Sequence, residues 1–180
     1  MKALIVVDMQ NDFVTGSLGA KQAELIVPKV VRKVESFLVN NDIVIFTRDA
    51  HASDYLDTLE GKELPVEHCI KGTHGWEIVD ELKHFASATF VIVDKPTFGS
   101  FELLDILSPL VEKGDVETIE LCGLCTDICV VSNALLLRAK FPETCIKVDA
   151  ECCAGVTEGS HKAALQTMKA CQIEIVNSDN

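Results

Sequence analysis

An α/β fold, a three-layer α/β/α sandwich on a mostly parallel six-stranded sheet, is predicted by three features of this chain. Six short apolar runs rich in β-branched residues recur along it, and helical periodicity fills most of the gaps between them. The runs are also apolar at consecutive rather than alternate positions. A strand that is apolar on both faces needs cover on both, and a parallel sheet with helices on each side supplies it.

The elements follow in order. The first strand covers residues 3–7 and ends at Asp8. A helix is expected over 22–39, where Val27, Val30, Val31, Val34 and Leu38 form one core-facing stripe. Strands are expected at 43–47 and 89–93, with a helix over 76–85 between them. A helix over 101–111 leads to the fourth strand, 118–122, and a helix over 127–140 leads to the fifth, 145–148. The last pair is a helix over 158–170 and a strand at 173–176. Two irregular stretches, 10–21 and 51–75, are long for a compact domain, and such loops often carry function. No linker, low-complexity segment or internal repeat divides the chain, so a single domain over 1–180 is expected.

Composition narrows the class. At 48% hydrophobic and 24% charged residues the chain is globular, and a net charge of -12 argues against nucleic acid or an anionic membrane as its main partner. A small molecule is the expected partner, and a homo-oligomer is left open. No stretch approaches membrane-spanning length, and the five apolar residues before Asp8 are too few for a signal peptide. A cytoplasmic location is therefore expected, with most of the eight cysteines reduced and packed as small hydrophobes.

The sequence ELCGLCTDICV (120–130) reads as a strand end, a sharp turn and the first turn of a helix carrying Cys129. Thr126 suits the N-cap and Asp127 the first turn. Unpaired N–H groups and the helix dipole would lower a thiol pKa of ~8.5 at such a position, and the same N–H groups can hold an oxyanion. This is a nucleophile elbow built on cysteine. Asp8 follows the first strand, Asp49 and His51 the second, and Lys95 the third, all at the carboxyl edge where open parallel sheets bind ligands. One polar residue there is ordinarily a turn or cap, whereas an acid, metal-ligand types, a cation and a thiol together point to a site. Asp49-Ala-His51 with the distant His68 suits a divalent transition metal, zinc first, with iron or manganese as alternatives. His74, His84 and His161 lack such neighbours and read as surface or structural residues.

Cys122-Gly-Leu-Cys125 could instead be a redox pair or half a zinc site. The adjacent Cys152 and Cys153 make a poor second pair, and the redox reading leaves Asp8, Lys95 and Asp49-Ala-His51 without a role. A flavodoxin-like binding module would share the sheet but would not need Asp8 and Lys95 to face Cys129.

The segments VDMQNDF (7–13), TRDAH (47–51), PVEHCIKGTHG (65–75), DKPTFGS (94–100) and GLCTDICV (123–130) resemble the isochorismatase-like cysteine hydrolases, in particular their nicotinamidase/pyrazinamidase group. The resemblance implies a catalytic triad of Asp8, Lys95 and Cys129, an oxyanion hole from the backbone amides of Cys125 and Cys129, and a cis peptide between Leu124 and Cys125. It also implies a metal held by Asp49, His51, His68 and a further ligand between the histidines, for which Glu60 is preferred and Asp57 comes next. That ion would meet the pyridine nitrogen of nicotinamide, hydrolysed through a thioester to nicotinate and ammonia. Many relatives carry a tryptophan where this chain has Leu64, before Pro65, while Phe13 keeps an aromatic wall for the substrate. Another small amide, of N-carbamoyl or ureide type, is the alternative substrate; vinyl-ether hydrolysis of the isochorismate type needs no nucleophilic cysteine. The chemistry agrees with the residues: an amide yields only to an activated nucleophile with a stabilised oxyanion, and Asp8 beside Lys95 can carry the proton.

Overall fold

The computed structural model describes residues 1–89 and 91–178. A six-stranded sheet in the order β3-β2-β1-β4-β5-β6 forms its centre, and every strand pairing is parallel. The strands are β1 (Lys2–Val7), β2 (Ile43–Asp49), β3 (Ile92–Lys95), β4 (Thr118–Leu124), β5 (Cys145–Ala154) and β6 (Glu174–Val176). From Ala3 onward β1 is wholly buried, as its consecutive apolar residues require. The helices are α1 (Asn11–Val14), α2 (Lys21–Val39), α3 (Leu59–Glu63), α4 (Asp80–Thr89), α5 (Phe101–Glu112), α6 (Val131–Lys140) and α7 (Glu158–Ala170). A 3₁₀ turn over Tyr55–Asp57 and a π-helical turn over Thr126–Val130 complete the set.

The chain begins at the centre, winds outward through β2 and β3, then returns to β4 and winds the other way. Right-handed crossovers therefore place α2 and α4, which pack on each other, on one face and the successive neighbours α5, α6 and α7 on the other. The reversal between β1 and β4 opens a crevice at the carboxyl edge. In α2 the buried stripe is Ala23, Ile26, Val27, Val30, Val34 and Phe37. Val31 and Leu38 lie at its margin.

Several boundaries differ from expectation for visible reasons. The helix expected from residue 76 begins at Asp80, because Trp76 is held beneath Arg48, whose guanidinium lies 3.7 Å from the ring centroid. That helix then runs to Thr89, so β3 begins at Ile92 rather than 89; residue 90 of the expected strand lies outside the described residues, as do 179 and 180. β5 continues well past 148 because its pairing with β4 resumes beyond a register shift, at Gly123↔Cys153 and Leu124↔Ala154. Gly123 has φ 115, and a Cβ there would strike the Val7 carbonyl. Only glycine lets β4 pass so close to β1 at the edge of the crevice.

Candidate active site

Asp8 is the first residue beyond β1, with φ 47, a left-handed conformation. Its N–H donates to the Thr47 carbonyl at 3.2 Å, and the Thr47 hydroxyl donates to Asp8 Oδ1 at 2.6 Å. Lys95 closes β3, in register with Asp49. Since β2 lies between β3 and β1, only a long side chain can cross the ~4.8 Å strand spacings to reach Asp8. Lys95 does so: its Nζ lies 2.6 Å from Asp8 Oδ2, 3.7 Å from Asp49 Oδ1 and donates to Cys129 Sγ at 3.4 Å.

Cys129 sits in the π-helical turn that leads into α6. Cys125 rather than Thr126 occupies the N-cap position, and its carbonyl accepts from the N–H groups of Ile128 and Val130. Thr126 is instead turned to α7, where its hydroxyl lies 2.8 Å from His161 Nδ1, so this histidine does have a partner. The Asp127 carboxylate accepts from the Val156 N–H. The Leu124–Cys125 peptide is cis.

Charge at this centre departs from the simple expectation for a helix start. Burial and the Asp8 carboxylate push the Cys129 thiol well up rather than down. Burial also raises Asp8, partly offset by Lys95. Burial would lower Lys95, but the charges of Asp8 and Asp49 outweigh it and keep the ammonium protonated. The resting arrangement is a thiol beside a carboxylate–ammonium pair.

The loop after β2 builds a second cluster. Asp49, His51, Glu60 and His68 each offer one ligand atom, all within 4.8 Å of one another. His51 Nε2 lies 3.0 Å from Asp49 Oδ2 and 3.8 Å from Glu60 Oε1. His68 Nε2 lies 3.5 Å and 4.0 Å from the same two oxygens. Donors about 2.0–2.2 Å from a tetrahedral ion stand about 3.3–3.6 Å apart, so the spacing fits a divalent metal after small adjustments. The donor chemistry fits too. His68 Nδ1 donates to the Val66 carbonyl at 2.8 Å, which leaves Nε2 as the free donor atom facing the cluster. Burial would raise Asp49, but the neighbouring His51 and His68 and the charge of Lys95 hold it far below its usual value. Asp57, the second choice for the further ligand, is exposed on the 3₁₀ turn and outside the cluster.

Both clusters meet in a cavity of about 440 Å³, whose walls include Cys125, Cys129, Asp49 and His68. Phe13 and Leu64 also line it, with the Phe13 ring centroid 5.6 Å from that of His68. Cys122 is fully buried in the core, away from the cavity that Cys125 lines, and every cysteine is free. Sequence reasoning missed the supporting residues. Gln10 accepts from the Asp49 N–H at 2.7 Å and donates to the Asp49 carbonyl at 2.8 Å. Asp12 accepts from the Cys69 N–H at 2.8 Å, tying down the His68 loop. Asn133 donates to the carbonyls of Cys129 and Phe98 and accepts from the Ser100 N–H. Its signal was available, a polar residue four after Cys129 on the buried side of α6 with Ala134 and Leu137.

A doubly wound parallel sheet carrying a cysteine, aspartate and lysine in contact at its switch point, with a metal-ligand cluster alongside, defines an α/β cysteine hydrolase. The family model for the isochorismatase domain matches residues 2–180, and the chain belongs to the isochorismatase family. It is 27% identical over 188 residues to the nicotinamidase/pyrazinamidase of Mycobacterium tuberculosis, covering 99% of this chain and 100% of that one. Among solved structures, the pyrazinamidase/nicotinamidase of Streptococcus mutans superposes with a TM-score of 0.85 at 29% identity, over 98% of this chain and 100% of that chain. The pyrazinamidase of Pyrococcus horikoshii in complex with zinc gives 0.82 at 29% identity, over 98% and 99%. This chain is accordingly a hydrolase of amide bonds. No helix among the described residues is long and apolar enough to cross a membrane.

Proposed function

We propose that this hydrolase converts nicotinamide to nicotinate and ammonia through a thioester on Cys129. The observation that carries the reading is Lys95 Nζ within 2.6 Å of Asp8 and 3.4 Å of Cys129, at a cavity that also takes in Asp49 and His68. As Cys129 Sγ bonds to the amide carbon, its proton passes to Asp8. The carbonyl electron pair moves onto oxygen, where the N–H groups of Cys125 and Cys129 hold it. Collapse breaks the C–N bond, and Asp8 returns the proton to the departing ammonia. Water, deprotonated by Asp8, then adds to the thioester, and the second collapse releases the carboxylate and restores the thiol. Throughout, Lys95 keeps positive charge against Asp8 and the sulfur. Asp49, His51, Glu60 and His68 would hold one divalent ion, zinc by preference, as a Lewis acid that receives the substrate's ring nitrogen.

An N-carbamoyl amino acid carries a carboxylate that needs a cation. Apart from the ion proposed at Asp49 and Glu60, the cavity walls carry no lysine or arginine among the described residues, which favours a neutral amide. Ammonia release from nicotinamide, benzamide, a small aliphatic amide and an N-carbamoyl amino acid tests the reading. Nicotinamide should lead, with benzamide behind because it has no ring nitrogen. Fast turnover of the carbamoyl compound with none of nicotinamide would overturn it.

A further inference from the structure

We infer that the site takes aromatic carboxamides larger than nicotinamide, extended by a neutral apolar group on the ring edge opposite the amide and ring nitrogen. This rests on the proposed amide hydrolysis and deepens it. The cavity of about 440 Å³ lies in the range of about 300–1,000 Å³ that holds drug-sized ligands, more than one ring with its amide requires. Its polar corners are buried: Cys129 is 4% exposed, Asp49 2% and His68 2%. A ring with its carbonyl at Cys129 and its nitrogen toward Asp49 and His68 must turn its remaining edge, around carbon 5, to the open side.

That side is apolar. Phe98, Leu64 and Val156 line the cavity yet are 44%, 38% and 59% exposed, and they arrive from three separate segments. Each is anchored at its backbone. The Phe98 carbonyl accepts from Asn133 at 3.0 Å, the Leu64 carbonyl accepts from the Tyr55 hydroxyl at 2.9 Å, and the Val156 N–H donates to Asp127 at 3.1 Å. The rim is therefore held open before a ligand arrives, so little ordering cost opposes burial of an apolar group against it. An anionic group there would meet Phe98, Leu64 and Val156, with no lysine or arginine among the described residues lining the cavity, on a chain of net charge -12. The extension must be neutral.

The test uses metal-loaded enzyme with nicotinamide, 5-phenylnicotinamide and 5-carboxynicotinamide, reading kcat and KM from ammonia release. Calorimetric Kd values on metal-loaded Cys129→Ala give a readout independent of turnover. The phenyl compound should show KM and Kd lower than nicotinamide by on the order of ten-fold, from the apolar area buried at the rim. The carboxy compound should bind more weakly than nicotinamide. The phenyl-to-parent ratio of kcat/KM should fall several-fold in Phe98→Ala and in Val156→Ser, the latter changing an exposed side chain if the former folds poorly. Good turnover of nicotinamide with weaker binding of the phenyl compound, or a ratio unmoved by both substitutions, would overturn the inference while leaving nicotinamide hydrolysis standing. Failure of nicotinamide itself to bind or turn over would remove both.

Discussion

Cys129 stands under opposing influences. A helix start favours thiolate, whereas burial and the neighbouring Asp8 carboxylate favour the thiol, and the second pair prevails. The proton therefore has to leave as the sulfur attacks, and Asp8 is the group placed to take it. Cys129→Ala and Cys129→Ser should each lower kcat by several orders of magnitude with the fold intact by circular dichroism, since both remove the thiol. Cys125→Ala should keep substantial activity, because in the proposed mechanism only its amide serves the reaction; the reverse pattern would mean that the nucleophile is Cys125. A pH profile tests the base separately. Burial lifts Asp8 above the ordinary carboxylate value despite Lys95. Ionised Asp8 is the active form, so kcat/KM should fall as pH drops through this raised pKa, with an acid limb above about 3.9. Lys95 is itself raised and stays charged across the working range, so the alkaline limb should not come from it. An acid limb at or below the ordinary carboxylate value would contradict Asp8 as the base.

Elements deliver these groups through contacts that propensity does not encode. The strand ends near Asp8 and Lys95 were readable because apolar runs stop at Val7 and Val93, and the elbow was readable from the turn chemistry before Cys129. The start of α4 was not, because Trp76 is claimed by Arg48 across the chain. Nor was the length of β5, which depends on Gly123 letting β4 approach β1 so that pairing resumes beyond the register shift. α6 and the loop after β3 are joined by Asn133, which bonds the Cys129 carbonyl, the Phe98 carbonyl and the Ser100 N–H. Asn133→Ala would leave these backbone groups short of a partner, at a stability cost of about 1–3 kcal/mol by denaturant titration. Because the loop begins just after Lys95, kcat should fall more than KM changes, and Asn133→Gln should not restore it. An unchanged kcat in a folded variant would make Asn133 purely structural.

At the scale of the whole molecule, the switch point between β1 and β4 explains why the Asp8–Lys95–Cys129 cluster and the metal-ligand cluster lie side by side: strands wound in opposite directions bring their carboxyl ends to one crevice. The three residues proposed for catalysis were legible because Asp8 and Lys95 stand at strand ends and Cys129 in the turn after β4. The fourth metal-ligand candidate was only partly so, since Glu60 and Asp57 lie on neighbouring short turns and only the folded 51–75 loop turns Glu60 inward. Gln10 spans the ends of that loop through Asp49 and the Trp76 carbonyl, Asp12 accepts from the Cys69 N–H within it, and Tyr55 packs against the rings of His51 and His68 at 4.7 Å and 5.0 Å. Burial and Asp49 push Glu60 upward, a repulsion that a divalent cation would offset. Purified protein should therefore carry about one transition-metal ion per chain by elemental analysis. A ligand that binds only the folded state stabilises it by about 2.7 kcal/mol at a hundred times its Kd, so removing the ion with chelator should lower Tm as well as activity. His51→Ala should lose the ion and reproduce both losses. In wild type, hydrogen exchange should rise first in 51–75, while β1 and β4 stay protected by pairing on both sides. Active enzyme that holds no metal and is unaffected by chelator would separate this cluster from the reaction.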